Sequence, residues 1–180
     1  MTKQELHKLL SQRFEDNCCR EFARTIQEHG LIEDAMEIAL EKKGSQPFRA
    51  AYALEMLFFD DPASFEPYYK RFVSDYTAIE NESTMRHYGK IVVWLLKNKK
   101  LDLPCSDINS LAETACIRLV DESIKSGVKV WCMEILTLLS SKVEWVREEF
   151  PGILESLSID PPPAIASRLR KLGYVKNKQP

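Results

Sequence analysis

Histidines and paired carboxylates are the residues of this 180-residue sequence whose types suit acid–base or metal chemistry. His7, His29 and His87 lie on separate predicted helices, and none has a second His or Cys at the spacing of a zinc site. The paired Asp and Glu residues fall at predicted helix ends or on polar faces, where carboxylates cap helices or meet solvent. We therefore expect no metal ion and no cofactor, and we interpret His87, next to Arg86, as a surface residue rather than a general base.

Nucleophiles and phosphate-binding loops give no stronger signal. The sequence has no G-x-S-x-G or H-E-x-x-H motif, and its six glycines lie too far apart for either nucleotide-binding loop. The cysteines are odd in number and form no C-x-x-C motif; they are Cys18, Cys19, Cys105, Cys116 and Cys132. We predict reduced, mostly buried thiols, with Cys116 and Cys132 packed in apolar stripes, and hence a cytoplasmic protein.

The charge of the chain bears on its class of partner. The net charge is −2, whereas dedicated nucleic-acid-binding domains are clearly basic. Residues 161–180 hold five basic residues and no acid, which we interpret as a solvated helix and tail. The longest apolar run, residues 91–96, is too short to span a bilayer, so we expect no membrane association.

One predicted helix carries basic residues beside a tryptophan. Its residues Arg86, Lys90, Trp94 and Lys97 follow an i, i+4, i+8, i+11 pattern, which places them on one face. Such a row suits an acidic peptide or a phosphate backbone. The alternative, which we favour, is that Trp94 packs against the next pair of helices while the lysines face solvent.

Every long periodic segment predicts a helix, and no segment predicts a strand. Thr2 and Glu5 form a T-x-x-E capping box, and Gly30 ends a second helix that Asp16 or Asn17 begins. A third helix is predicted from Ile32 to Lys42, and Pro47 lies in the first turn of a fourth. The residues predicted to cap later helices are Ser64, with Pro67 in the first turn, Asn81 or Ser83, and Ser106. Gly127 is predicted to break the chain before a further helix, and Gly173 to end the last one.

Four segments share one pattern, in which an apolar helix and a polar break lead to a second helix that opens on an apolar anchor. The pairs at the anchors are Phe48-Arg49, Met85-Arg86, Val128-Lys129 and Ile165-Ala166, with a fainter copy at Cys19-Arg20. Positions 48, 85, 128 and 165 are separated by 37, 43 and 37 residues. The pattern resembles HEAT-like repeats, whose second helix opens with an apolar residue and an arginine followed by alanines. The resemblance implies an all-α fold, a right-handed α-α superhelix (a HEAT-like or armadillo-type solenoid) of about four to five antiparallel helix pairs.

The resemblance also implies the domain organisation. We expect a single HEAT-like domain over residues 1–175, with a tail over 174–180. Its helix pairs are predicted at 1–30, as an N-terminal cap, and at 31–60, 64–98, 106–141 and 143–173.

The basic residues beside the anchors are first of all architectural in this interpretation. Their stems cross the edge of the core, and their heads reach backbone carbonyls or a turn residue such as Asp16, Asn81 or Asp121. In a solenoid, the second helices form an extended surface that suits a peptide or partner protein. The candidate binding residues on that surface are Arg20, Arg24, Arg49, Arg86, Lys90, Trp94, Lys129 and Glu134.

The leading functional prediction is a non-enzymatic scaffold that binds a protein or peptide partner. The alternative is a DNA-binding protein similar to the DNA-alkylation-repair enzymes, which are also built of HEAT-like repeats and use a basic, Trp-bearing concave face on damaged DNA. Because the chain is net acidic and none of that family's catalytic residues can be placed in it, nucleic acid is the less favoured partner, and the absence of enzymatic activity is favoured over its presence. We expect a monomer or a weak homo-oligomer.

Overall fold

The computed structural model describes residues 1–12 and 18–174 of the chain. Within these residues every regular element is helical and no strand occurs, so the predicted all-α class is confirmed. The helices are α1 (Lys3–Ser11), α2 (Cys18–Glu28), α3 (Ile32–Ala39), α4 (Gln46–Asp60), a 3-10 helix (Pro62–Tyr68), α5 (Tyr69–Ala78), α6 (Glu82–Lys97), α7 (Cys105–Val120), α8 (Ser126–Leu139), α9 (Glu144–Leu157) and α10 (Pro163–Lys171).

The chain forms two compact units, Met1–Leu95 and Leu96–Pro180. In the first unit α4 is the central helix, because it packs against α1, α2, α3 and the 3-10 helix. Ala50, Ala51 and Ala53 are fully buried on α4, and their short side chains favour the helix and let its neighbours approach closely.

The second unit is built around α8, which packs against α7, α9 and α10. Its apolar residues Cys132, Ile135 and Leu139 are fully buried. They follow an i, i+3, i+7 spacing, so one continuous stripe of α8 faces the core of this unit.

Polar contacts join alternate helices within each unit. Lys3 of α1 donates to Glu37 of α3 at 2.6 Å, and these residues lie 34 positions apart. Lys90 of α6 donates to Glu55 of α4 at 2.5 Å, at a separation of 35. A pair 34 residues apart also joins α8 to α10 in the second unit. Helices that are next but one in the sequence therefore lie side by side.

Several predicted helix boundaries are confirmed. The Thr2 hydroxyl accepts a hydrogen bond from the Glu5 backbone N–H at 3.3 Å, and the Glu5 carboxylate accepts one from the Thr2 N–H at 2.8 Å, which completes the capping box of α1. Asn81 accepts from the Thr84 N–H at 3.1 Å just before α6. Gly30 follows α2 with a φ of +65°, a left-handed conformation that glycine adopts readily.

The prediction that Ser64 begins a helix is wrong. A 3-10 helix covers Pro62–Tyr68, and α5 begins only at Tyr69. Pro67 has no N–H to donate, which disfavours an α-helix through this position, and the segment winds more tightly instead.

Three other boundaries differ by a few residues. The helix predicted to reach Lys42 ends at Ala39, and Ser106 lies inside the first turn of α7 rather than before it. Gly127 likewise lies inside the first turn of α8, where helical N–H groups need no partner within the helix. The break falls earlier, where the Asp121 carboxylate accepts from the Ser123 N–H at 2.8 Å.

Two predictions fall outside the described residues. Asp16 and Asn17, one of which was expected to begin α2, lie in the stretch 13–17. Most of the predicted tail, residues 175–180, also lies outside them.

Candidate functional site

A buried carboxylate organises one surface of the first unit. Glu55 of α4 is 9% exposed, and both of its oxygens accept hydrogen bonds from α6. Oε2 accepts from Nδ1 of His87, and Oε1 accepts from Nζ of Lys90 at 2.5 Å. Since His87 and Lys90 are three residues apart on α6, a single turn of that helix presents both donors to the same carboxylate.

Two aromatic rings cover this contact. The ring centroid of His87 lies 5.0 Å from that of Tyr52 and 5.4 Å from that of Phe48. Phe48, Tyr52 and Glu55 are spaced i, i+4, i+7 along α4, so they share a face of the helix. Both aromatic residues are half-buried, which leaves part of each ring exposed to solvent. We call Phe48, Tyr52, Glu55, His87 and Lys90 the α4–α6 cluster.

The charge on Glu55 is stabilised by its partners. Burial raises the pKa of the Glu55 carboxyl, but hydrogen bonds from His87 and Lys90 lower it by more, so the pKa lies below its ordinary value. Glu55 is therefore a carboxylate at neutral pH and acts as a fixed acceptor between α4 and α6.

The chemistry of the α4–α6 cluster is that of a positioned imidazole. A carboxylate bonded to Nδ1 of a histidine is the arrangement that orients a general base. Nucleophilic catalysis also needs a hydroxyl or thiol within reach of the imidazole. Among the described residues, no Ser, Thr or Cys side chain is hydrogen-bonded to His87.

A second buried carboxylate organises a surface of the second unit. Glu134 of α8 is buried; its Oε1 accepts from Nη1 of Arg168 on α10, and its Oε2 lies 2.8 Å from Nζ of Lys97. The guanidinium carbon of Arg168 lies 5.6 Å from the ring centroid of Trp131, a cation–π contact. Burial lowers the pKa of the Arg168 guanidinium. We call Lys97, Trp131, Glu134 and Arg168 the α8–α10 cluster.

Arg49 has a structural role. It is 8% exposed, and its Nη1 donates to the backbone carbonyl of Leu10 at 2.5 Å and to that of Gln12. This is the carbonyl contact that the architectural interpretation of the anchor arginines predicts. It ties α4 to the end of α1.

The other candidate residues on the first unit differ in environment. Arg20 and Arg86 are exposed, and Arg24 is exposed and pairs with Glu28 at 2.7 Å along α2. Trp94 is half-buried, with its ring 5.2 Å from that of Phe58 on α4. Trp94 is therefore packed, but this contact is with the earlier helix α4, whereas the favoured interpretation expected one with the next pair of helices.

The candidate residues therefore fall into separate groups. Lys90 belongs to the α4–α6 cluster and Glu134 to the α8–α10 cluster, whereas Lys129 is half-buried on α8. The row predicted from Arg86 to Lys97 is divided, because Lys90 pairs with Glu55. Lys97 pairs instead with Glu134.

The interpretation of His87 as a surface residue is wrong. It is 6% exposed, because Phe48 and Tyr52 pack on its ring and Glu55 accepts a hydrogen bond from its Nδ1. The sequence held a signal for this pair, since Glu55 is the single charged residue between Ala50 and Phe59. A lone acid in an apolar helix is usually paired when buried.

Sequence reasoning also missed the residues that surround Glu134. Trp131 and Arg168 lie 37 positions apart, and no local motif connects them. The available signal was the spacing of 37 residues between two of the anchor pairs, which is close to the separation of 34 between Glu134 and Arg168.

The thiols differ in exposure. Cys19 and Cys132 are buried, Cys116 is half-buried, and Cys105 is exposed at the start of α7. Burial, with a smaller contribution from Glu149, raises the pKa of the Cys116 thiol, which disfavours the reactive thiolate.

One cavity of about 570 Å³ lies between α7 and α9 in the second unit. Its lining includes Cys105 and Ile108 of α7 and Trp145 and Glu148 of α9, and Lys142 contributes the opposite charge. Glu144 also lines the cavity, so its charged lining consists of two acids and one base.

Comparisons with protein-family models, with curated proteins and with solved structures found no match to this chain. Over residues 1–12 and 18–174, no group of three or more His, Cys, Asp or Glu side chains is arranged to hold a metal ion. In the same part of the chain, no helix combines the length and apolar character needed to cross a membrane.

Proposed function

We propose that the protein is a non-enzymatic scaffold that binds a protein or peptide partner through the α4–α6 cluster. The observation that carries this proposal is the partial exposure of Phe48 and Tyr52 beside cationic residues, over a contact fixed by Glu55. Trp, Tyr and Arg side chains contribute much of the binding energy at protein interfaces, and Tyr52 and Arg86 are of these types. Rings that are already held in place lose little entropy on binding.

A HEAT-like repeat is the architecture that we propose for this scaffold. Its support is the contact between alternate helices at separations of 34 and 35, close to the 37 residues that separate two of the anchor pairs. Stacked helix pairs bring equivalent positions of successive pairs together, which explains why ion pairs recur at this distance. On this proposal the pairs form a right-handed superhelix, and α4, α6, α8 and α10 are second helices.

Binding explains the cluster better than catalysis does. Both oxygens of Glu55 already accept hydrogen bonds, so the carboxylate is not free to take a proton from a substrate without losing a contact between α4 and α6. Arg86, in contrast, is exposed next to His87 and adds a charge that a partner can reach.

We propose a cytoplasmic location for the scaffold, on the basis of the free cysteines Cys19, Cys105, Cys116 and Cys132.

The experiment is direct binding with matched variants. The purified full chain captures proteins from a native lysate, the captured proteins are identified by mass spectrometry, and each is then purified and titrated by calorimetry. The test variant combines Tyr52→Ala with Arg86→Glu. The control combines Phe59→Ala with Arg24→Glu, which removes an exposed ring and reverses an exposed charge elsewhere on the same unit.

The expected result is saturable binding of one purified partner to the wild type and the control, and a loss of at least about tenfold in affinity for the test variant. Equal affinities for the test and control variants would remove the α4–α6 cluster from the interface. If no purified candidate binds the wild type, the scaffold proposal itself fails.

The alternative is a DNA-binding protein of the kind that the DNA-alkylation-repair enzymes represent. The feature that favours it is α10, whose last turn holds Arg168, Arg170 and Lys171. Against it, Lys90 and Arg168 each pair with a carboxylate, and the net charge is −2. A gel shift with duplex DNA at low salt, where phosphate contacts are strongest, decides between the two functions.

A further inference from the structure

The second unit carries a positive surface that the α4–α6 cluster does not explain. Helices α8 and α10 together hold four basic residues, Lys129, Arg168, Arg170 and Lys171, against the single acid Glu134. Glu134 is buried, so its charge is directed at Arg168 and Lys97 rather than at solvent. The outward field of these two helices is therefore cationic.

The centre of this surface is the contact between Trp131 and Arg168. The guanidinium lies 5.6 Å from the indole centroid and is held there by its bond to Glu134. Arginine has five N–H donors in a fixed fork, and among the described residues only Glu134 accepts a hydrogen bond from Arg168. The side chain of Arg168 is 16% exposed and that of Lys97 is 51% exposed, so both cations can be reached from solvent.

We propose that the α8–α10 cluster binds an acidic peptide segment. A carboxylate of the segment accepts from the remaining donors of Arg168 and from Lys97, and a neighbouring apolar side chain of the segment packs on the exposed part of Trp131. This proposal rests on the proposed scaffold function and names the partner class of a second surface.

A peptide fits this surface better than a nucleic acid. Arg168 and Lys97 both already pair with Glu134, so the cluster offers few cations to a polymer with one phosphate at every step. An acidic peptide places its carboxylates at intervals and supplies apolar side chains for Trp131. The net charge of −2 also repels a long polyanion more than a short acidic segment.

The test measures fluorescence anisotropy of a labelled peptide in which Glu and Phe alternate. The same peptide with Gln in place of Glu and a single-stranded oligodeoxynucleotide of equal charge serve as comparison probes. The full-length chain is used throughout, with the variants Arg168→Gln, Arg168→Lys and Trp131→Leu. Arg170→Gln is the matched control, because it removes the same charge from an exposed position of α10.

The proposal expects saturable binding of the Glu–Phe peptide that weakens about tenfold in Arg168→Gln, since a hydrogen bond between charged groups is lost. Arg168→Lys keeps the charge but loses the guanidinium over the ring of Trp131, so it also binds more weakly than Arg170→Gln does. Trp131→Leu leaves the charges unchanged and weakens the binding of the Glu–Phe peptide. The Gln–Phe peptide shows no measurable binding to this variant. Circular dichroism confirms that each variant is folded; if Arg168→Gln is not, the other two variants decide the result.

Three results would overturn the proposal. These are no binding of the Glu–Phe peptide to the wild type at low salt, equal losses in the Arg168 and Arg170 variants, and tighter binding of the oligodeoxynucleotide than of the peptide. None of them affects a partner bound through the α4–α6 cluster, because the variants of that cluster lie in the other unit. Failure here therefore remains distinguishable from failure of the scaffold proposal.

Discussion

Replacing Glu55 with glutamine isolates the contribution of the carboxylate that joins α4 to α6. The substitution keeps the volume of the side chain but removes the charge that His87 and Lys90 both contact. Hydrogen bonds to charged groups contribute about 1.5–3 kcal/mol each, and breaking a buried ion pair costs about 3–5 kcal/mol. Because the side chain of Lys90 is 24% exposed and can regain water, we expect the lower end, a loss of about 3 kcal/mol in the free energy of unfolding.

The matched control is Glu37→Gln, which removes a carboxylate with a similar ion-pair distance but a different environment. Glu37 contacts Lys3 at 2.6 Å, and both side chains are about half exposed, at 51% and 44%. Exposed pairs contribute about 0–1 kcal/mol, so the control should unfold at nearly the same urea concentration as the wild type. The measurement is urea denaturation at neutral pH, followed by far-UV circular dichroism.

The pH dependence gives the same prediction an independent check. The pKa of Glu55 lies below its ordinary value of 4.5 in the folded protein, so the unfolded chain takes up the proton first as the pH falls. The stabilisation is therefore present above pH 4.5 and is lost as the pH falls through the folded-state value. The reasoning would be refuted if Glu55→Gln and Glu37→Gln lost the same stability at neutral pH, or if the loss in Glu55→Gln did not diminish on acidification.

Three further changes test the core, a second carboxyl group and the thiols. Phe58→Ala should lower the free energy of unfolding by about 3–5 kcal/mol. The reason is that this fully buried ring contacts four other aromatic side chains of the first unit besides its neighbour in sequence, and thermal unfolding measures the loss. Burial raises the pKa of Asp75, so at neutral pH the ionised side chain is less favourable in the folded protein than in the unfolded chain. Asp75→Asn should therefore leave the melting temperature unchanged or raise it, and the difference from the wild type should vanish in acid. Iodoacetamide under native conditions should modify Cys105 before Cys19 and Cys132, and peptide mass spectrometry would contradict this order if all three reacted at one rate.

The sequence predicted the helices where the physical cause is local. The capping box at Thr2 needs only Glu5 three residues later, and the cap at Asn81 needs only the first turn of α6. It failed at Ser64, because Ser64 as a cap and Pro67 in the following turn were both taken as signals for the start of an α-helix. The 3-10 helix begins earlier, at Pro62, so Pro67 lies inside it rather than in a first turn.

The candidate site was harder to predict because its contacts are not local. His87 has a charged neighbour on α6, which suggested a surface position, but its burial depends on Glu55, 32 residues earlier in the chain. The same holds for Trp131, whose environment depends on Arg168. A search for opposite charges at separations of about 35 residues, rather than within one helix, would have found the pairs of Glu55 with Lys90 and of Glu134 with Arg168.

The two clusters follow one physical rule. Glu55 and Glu134 each lie on the central helix of their unit, and each accepts from two donors with both carboxylate oxygens. A carboxylate used in this way joins helices. The donors keep part of their capacity, since lysine has three N–H groups and arginine five, whereas each of these pairs uses few of them. What remains available at either surface is therefore cationic and aromatic, and the proposed binding of a partner rests on these groups.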